Sequence, residues 1–103
     1  MSYFVNHLMG NASVEFSLDS LPSLYEELSK ADGEHSDVSL THESEWCLAA
    51  FSSGLVTWEN LAGEGEPKHM RDVPQDKVLA LWSLLSEGKV SEIDSENWLA
   101  GYG

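Results

Sequence analysis

The sequence predicts an α+β domain: a single antiparallel sheet of four to six strands with two helices packed on one face, in the order β(β)αβββ(β)α plus a C-terminal tail. Three observations predict it. Two stretches carry apolar residues at helical spacing, several shorter stretches alternate with period two, and turn-forming residues stand between them. The 103 residues suffice for one small domain, spanning 1–103. Hydrophobic residues make up 42% of the chain and include four tryptophans, so it has the means to fold and the tryptophans supply much of a thin core.

Tyr3 to Leu8 opens with aromatic and β-branched residues and meets Gly10-Asn11. In Ser13 to Leu18, Val14, Phe16 and Leu18 alternate with Ser13, Glu15 and Ser17, so the pair predicts a hairpin. The period then changes. Leu21, Leu24, Tyr25 and Leu28 fall on one face of a helix, with Asp19 or Ser20 able to cap its start and Pro22 tolerated in its first turn. Glu26 and Glu27 are expected to face water. After the polar break "ADGEHSD", Asp37 to His42 alternates again, and Glu45 to Phe51 is nearly all apolar after its first residue, as in a central strand. Ser52-Ser53-Gly54 turns the chain into Leu55 to Asn60, which places Val56 and Trp58 on one face. The run from Leu61 to Pro67 contains Gly63 and Gly65, which forbid a long regular element, and Lys68 to Val73 is expected as a short edge strand.

The strongest helix signal is "DVPQDKVLALWSLLSEG", where Val78, Leu81, Trp82 and Leu85 share a face widened by Leu79 and Leu84. Asp72 with Gln75 fits a capping box, Pro74 suits the first turn, and Gly88 suits the left-handed position after the last. In the tail from Lys89 to Gly103, Ile93, Trp98, Leu99 and Tyr102 are expected to tie the chain to the body.

Charge is the dominant functional signal. Asp plus Glu number 18 against 5 Lys plus Arg, a net charge of −13. Binding nucleic acid needs a basic surface to displace counterions, so that class is excluded, and an anionic membrane leaflet would repel the chain. A protein partner with a basic surface is the natural complement, although negative charge also serves solubility alone. Cys47 is the single cysteine, so an internal disulfide is impossible and a reducing compartment follows. "MSYFVNHLMG" lacks the features of a signal peptide, and no apolar run approaches a membrane span, so a cytoplasmic location is expected. The Asn11-Ala12-Ser13 sequon is then coincidental.

Catalytic constellations are scarce. Cys47 stands between Trp46 and Leu48 in an apolar strand, where a thiol is buried and inert. No serine lies in a Gly-x-Ser-x-Gly elbow, and "GEGEP" lacks the lysine of a phosphate loop while its glutamates would repel phosphate. His7, His35, His42 and His69 are scattered without metal-ligand spacing and are expected as solvated surface residues. "ADGEHSD" has oxygens but not the order of a calcium loop. No catalytic residue, metal or cofactor is therefore expected. The competing reading is a small-molecule or enzymatic site with Glu59, His69 and Cys47 near one cleft.

Acids cluster three times: from Glu26 to Glu45; at Glu59, Glu64, Glu66 and Asp72; and at Glu92, Asp94 and Glu96 beside Trp98. The predicted partner-binding set is Glu43, Glu45, Trp58, Glu59, Glu64, Glu66, Asp72 and Trp98, the carboxylates steering association and the indoles adding affinity. The sequence leaves the oligomeric state open.

The segments "SVEFSLDSLPSLYEEL", "WCLAAFSSGLVTWEN" and "VPQDKVLALWSLLSEG", with the closing Trp98, resemble the immunity proteins of bacterial polymorphic toxin systems, in particular the first numbered immunity family. The resemblance covers most of the chain as pattern rather than motif. Gly88 and Trp98 fit the family's ending, while the link "KVSEIDSEN" lacks the family's proline and the loop "AGEGEPKHMRD" is short. The resemblance implies a non-enzymatic inhibitor that covers the active site of a cognate toxin, and a nuclease or deaminase toxin would present a matching basic surface.

Overall fold

A computed structural model describes residues 3–14, 16–33 and 36–102. One open antiparallel sheet of seven strands runs in the order β2-β1-β3-β4-β5-β6-β7. Its strands are β1 (Tyr3–Asn6), β2 (Ala12–Val14), β3 (Asp37–His42), β4 (Trp46–Phe51), β5 (Val56–Asn60), β6 (Lys68–Met70) and β7 (Leu99–Ala100). The helices are α1 (Leu21–Glu26), α2 (Gln75–Ser86) and α3 (Val90–Asp94), and 3-10 turns flank α1 at Leu18–Ser20 and Glu27–Lys30. The α+β class and the single antiparallel sheet agree with the sequence. The strand and helix counts exceed the four to six and two expected, because the tail contributes both α3 and β7.

Alternation along the strands sorts the sheet into two faces. Val5, Leu40, Leu48 and Trp58 lie level across β1, β3, β4 and β5, with Val38, Ala50 and Val56 one step along. These residues form one buried cluster with Leu21 and Leu24 of α1, Leu28, Val78, Leu81, Trp82 and Leu85 of α2, and Ile93 of α3, so every helix covers this face. Each large apolar side chain so enclosed is worth roughly 1.5–3 kcal/mol of transfer free energy. Trp82 Nε1 donates to Leu48 O at 2.9 Å, which satisfies the polar atom of the indole that α2 drives into the core.

Local chemistry explains several boundaries and corrects others. Gly88 holds φ 76°, and Lys89 N bonds to Leu84 O at 3.0 Å, so the expected glycine stop of α2 is present. At its start Pro74 is the N-cap residue and makes no side-chain bond, so the Asp72–Gln75 capping box does not form. Asp72 itself has φ 55°, a left-handed backbone conformation. Ser17, rather than Asp19 or Ser20, caps the turn before α1, accepting from Asp19 N at 3.3 Å. Lys68–Met70 is shorter than expected and is not an edge, since β7 pairs with it on the outer side. The predicted strand from Ser13 to Leu18 shrinks to Ala12–Val14; Glu15 lies outside the described residues.

Candidate partner-binding surface

The two connections at one end of the sheet carry most of the predicted acids. The β3–β4 turn spans residues 43–45 and the β5–β6 connection spans 61–67. Trp46 pairs with Asn60, and Leu61 N continues the ladder to Glu45 O at 2.8 Å. Asn60 Nδ2 adds a bond to Ser44 O at 3.3 Å, and Asn60 Oδ1 receives Ala62 N at 2.8 Å. Two loops far apart in sequence are thereby fastened side by side. Glu43, Glu45, Glu64 and Glu66 are all exposed on them, and neither loop contains a lysine or arginine. The carboxylates of Glu45, Glu64 and Glu66 form no ion pair with any described residue. Glu45 has φ 75°, a conformation a glutamate side chain disfavours.

Glu59 lies on β5 just below this rim, on the face that the helices leave uncovered. Tyr102, carried back to the same end by β7, donates its hydroxyl to Glu59 Oε2. That bond to a carboxylate holds the Tyr102 phenol above its ordinary value. Leu61 at 53%, Leu99 at 55% and Tyr102 at 55% exposure place apolar surface next to the acids. Ile93 and Trp98 tie the tail down by burial, while Leu99 and Tyr102 do so through the β6–β7 pairing and the Glu59 bond and keep their side chains exposed.

The predicted set divides. Glu43, Glu45, Glu64 and Glu66 come together, with Glu59 beside them. Asp72 is at the opposite end of the sheet, against the β4–β5 turn, where a Cβ on Gly54 would lie 3.4 Å from its Cα. Trp58 is 0% exposed and is withdrawn from the set as a core residue. It is the middle ring of a stack, with Trp46 at 4.7 Å and Trp98 at 6.2 Å between centroids, and its Nε1 donates to Asp94 Oδ1 at 2.7 Å. Trp98 is the half-buried outer ring, its Nε1 bonded to Ile93 O at 2.8 Å.

The uncovered face carries small residues at its centre and larger ones beside them. Ser39, Thr41, Cys47, Ala49 and Thr57 are buried there by their neighbours on the same face, among them Phe4 beside Thr41. Cys47 pairs with Glu59, and His69 pairs with Thr57, so Cys47, Glu59 and His69 share this face on three adjacent strands. Burial pushes the Cys47 thiol up, opposed by the hydroxyls of Thr41 and Ser39 and reinforced by the charges of Glu59 and Asp37. His69 Nδ1 donates to Gly101 O at 3.0 Å.

The histidines are not the solvated residues expected. His42 and His69 are buried, and His7 is partly buried, with Nδ1 2.7 Å from Glu27 Oε2 and Nε2 2.8 Å from Ser13 Oγ. His42 Nδ1 accepts from Ser44 N at 3.1 Å, which leaves its Nε2 buried without a partner. His35 lies outside the described residues. Glu27, expected to face water, also accepts from Leu8 N at 3.0 Å and so fastens α1 to the β1–β2 connection. Among the described residues no group of three or more His, Cys, Asp or Glu side chains is placed to hold a metal ion. Among the described residues no helix is long and apolar enough to cross a membrane. Comparison with protein-family models, with curated proteins and with solved structures finds no significant match to this chain.

Proposed function

We propose that this chain is a non-enzymatic protein-binding protein that docks a basic partner against the rim formed by Glu43, Glu45, Glu64 and Glu66, in the manner of an immunity protein inhibiting a cognate basic toxin. The observation that carries this reading is the fastening of two lysine- and arginine-free loops into one acidic edge by Leu61 N–Glu45 O and Asn60 Nδ2–Ser44 O. A row of like charges repels itself, so its natural complement is a cationic surface. The net charge of −13 steers such a partner at long range, and exposed Leu61 and Tyr102 supply the apolar contact that exposed charges lack.

The competing enzymatic reading has in its favour that Cys47, Glu59 and His69 share one sheet face. It is weakened by a thiol held in its protonated form and by a His69 nitrogen already engaged by Gly101.

The reading is tested by immobilising the wild-type chain and the Glu43→Gln/Glu45→Gln/Glu64→Gln/Glu66→Gln variant, and comparing captured proteins by mass spectrometry at about 50 mM and about 500 mM salt, where screening lengths differ severalfold. The expected result is a basic protein retained by the wild type at low salt, lost at high salt and absent from the variant. Equal capture by both chains contradicts it.

A further inference from the structure

A hollow of about 300 Å³ opens between the β5–β6 connection, the end of α3 and β7. Glu66, Pro67, Lys68, Asp94, Glu96, Trp98, Leu99 and Ala100 line it, so it adjoins the acidic rim and shares Glu66 with it. We propose that this hollow receives an arginine side chain of the basic partner, the guanidinium resting on the Trp98 indole with Glu66 as its counter-charge. The inference rests on the protein-binding reading above and names the anchor within it.

The shape, the ring and the charge argue for this occupant. Trp98 is parallel to Trp58 within 14°, so one indole face is turned toward the stack and the other away from it. Its Nε1 bond to Ile93 O fixes the ring, so little conformational freedom is lost on binding. An indole face attracts a cation, and the planar guanidinium stacks on it better than an ammonium does. Three carboxylates line the hollow against the single ammonium of Lys68. Two of them are committed: Asp94 to Trp58 Nε1 and, at 3.7 Å, to Lys68; Glu96 to Lys77 at 2.8 Å. Glu66 is exposed and forms no ion pair with any described residue, so it is the group that an incoming cation would satisfy. The volume accommodates one long side chain and lies at the lower end of the range for small-molecule pockets.

The test is an NMR titration of the full chain with N-acetyl-arginine amide, and with the neutral isostere N-acetyl-citrulline amide. The expected result is a saturable shift of the Trp98 indole N–H and the Leu99 and Ala100 amides with the arginine compound alone. Glu66→Gln, a change on an exposed loop that leaves folding intact, should weaken it about two- to fivefold, the worth of a solvent-exposed ion pair. Equal shifts with both compounds, shifts centred on another part of the surface, or no effect of Glu66→Gln would overturn the proposal. If the pocket titration fails while Glu43→Gln/Glu45→Gln still abolishes partner capture, the arginine anchor falls and the protein-binding reading stands. If those two substitutions leave capture unchanged, the reading itself falls.

Discussion

Two groups of carboxylates in this molecule carry the same charge in different surroundings. Glu27, Asp94 and Glu96 are drawn into the fold: Glu27 holds Leu8 N and His7, Asp94 satisfies the N–H of a fully enclosed tryptophan, and Glu96 meets Lys77. Glu45, Glu64 and Glu66 stand on two joined loops and form no ion pair with any described residue. Net charge alone does not separate them. What separates them is whether a donor of the fold lies within reach, in Asp94's case one that is fully enclosed. A donor left unpaired in the interior costs more than the bond itself contributes, so the first group is retained for stability. The second group has no such reason to exist within the fold, and that is why it is assigned to a partner.

Substitutions should separate the two groups by size and kind of effect. Trp58→Ala removes the centre of the indole stack and should destabilise by about 3–5 kcal/mol, read by urea or thermal unfolding. Asp94→Ala leaves Trp58 Nε1 enclosed without an acceptor and should cost about 1–3 kcal/mol by the same measurement. A loss no larger than that of a rim substitution would erase the distinction between the groups. Glu45→Asn replaces a glutamate at φ 75° with a residue that tolerates the left-handed region. It should stabilise by a few tenths to about 1 kcal/mol while weakening partner capture, so that fold and function move in opposite directions. Glu64→Gln and Glu66→Gln should each change stability by no more than about 0.5 kcal/mol.

The smallest expected effect concerns pH. The Tyr102 phenol is raised from 10.0 by its bond to Glu59. A group raised in the folded state contributes fully below its ordinary value and loses that contribution as pH rises through the raised one. The Tyr102–Glu59 contact should therefore persist at neutral pH and open only in strong alkali. Ultraviolet titration should show one tyrosine ionising earlier in Glu59→Ala than in the wild type.

Much of the framework was legible in residue spacing. Alternation located β3 and β5, a nearly unbroken apolar run located β4 as a central strand, and the 3.6-residue period located α2 because its apolar face meets the sheet. The ending of α2 was legible because Gly88 alone can take its left-handed turn cheaply. The tail was not: α3 is five residues and β7 two, too short for any period to register, and both are held by long-range contacts such as Gly101 N–Pro67 O. The rim glutamates were found as acids, but their meeting at one end depends on strand order. The exclusion of Asp72 and Trp58 depends on it equally. The burial of His42 and His69 escaped notice because histidine has no periodic preference, and each is enclosed by partners distant in sequence. Trp98 stands in the sequence as an aromatic beside acids, while its place in a stack follows from the long-range packing of the tail on β5.

The most direct test of the central claim, that the rim works on a partner while the inner carboxylates hold the fold, pairs two readings on one variant. The chain carrying Glu43→Gln, Glu45→Gln, Glu64→Gln and Glu66→Gln is melted and, alongside, measured for its affinity toward the basic protein captured by the wild type. The account predicts an undiminished melting temperature together with loss of binding. Undiminished binding, or a collapse of stability that matches Asp94→Ala, would contradict it.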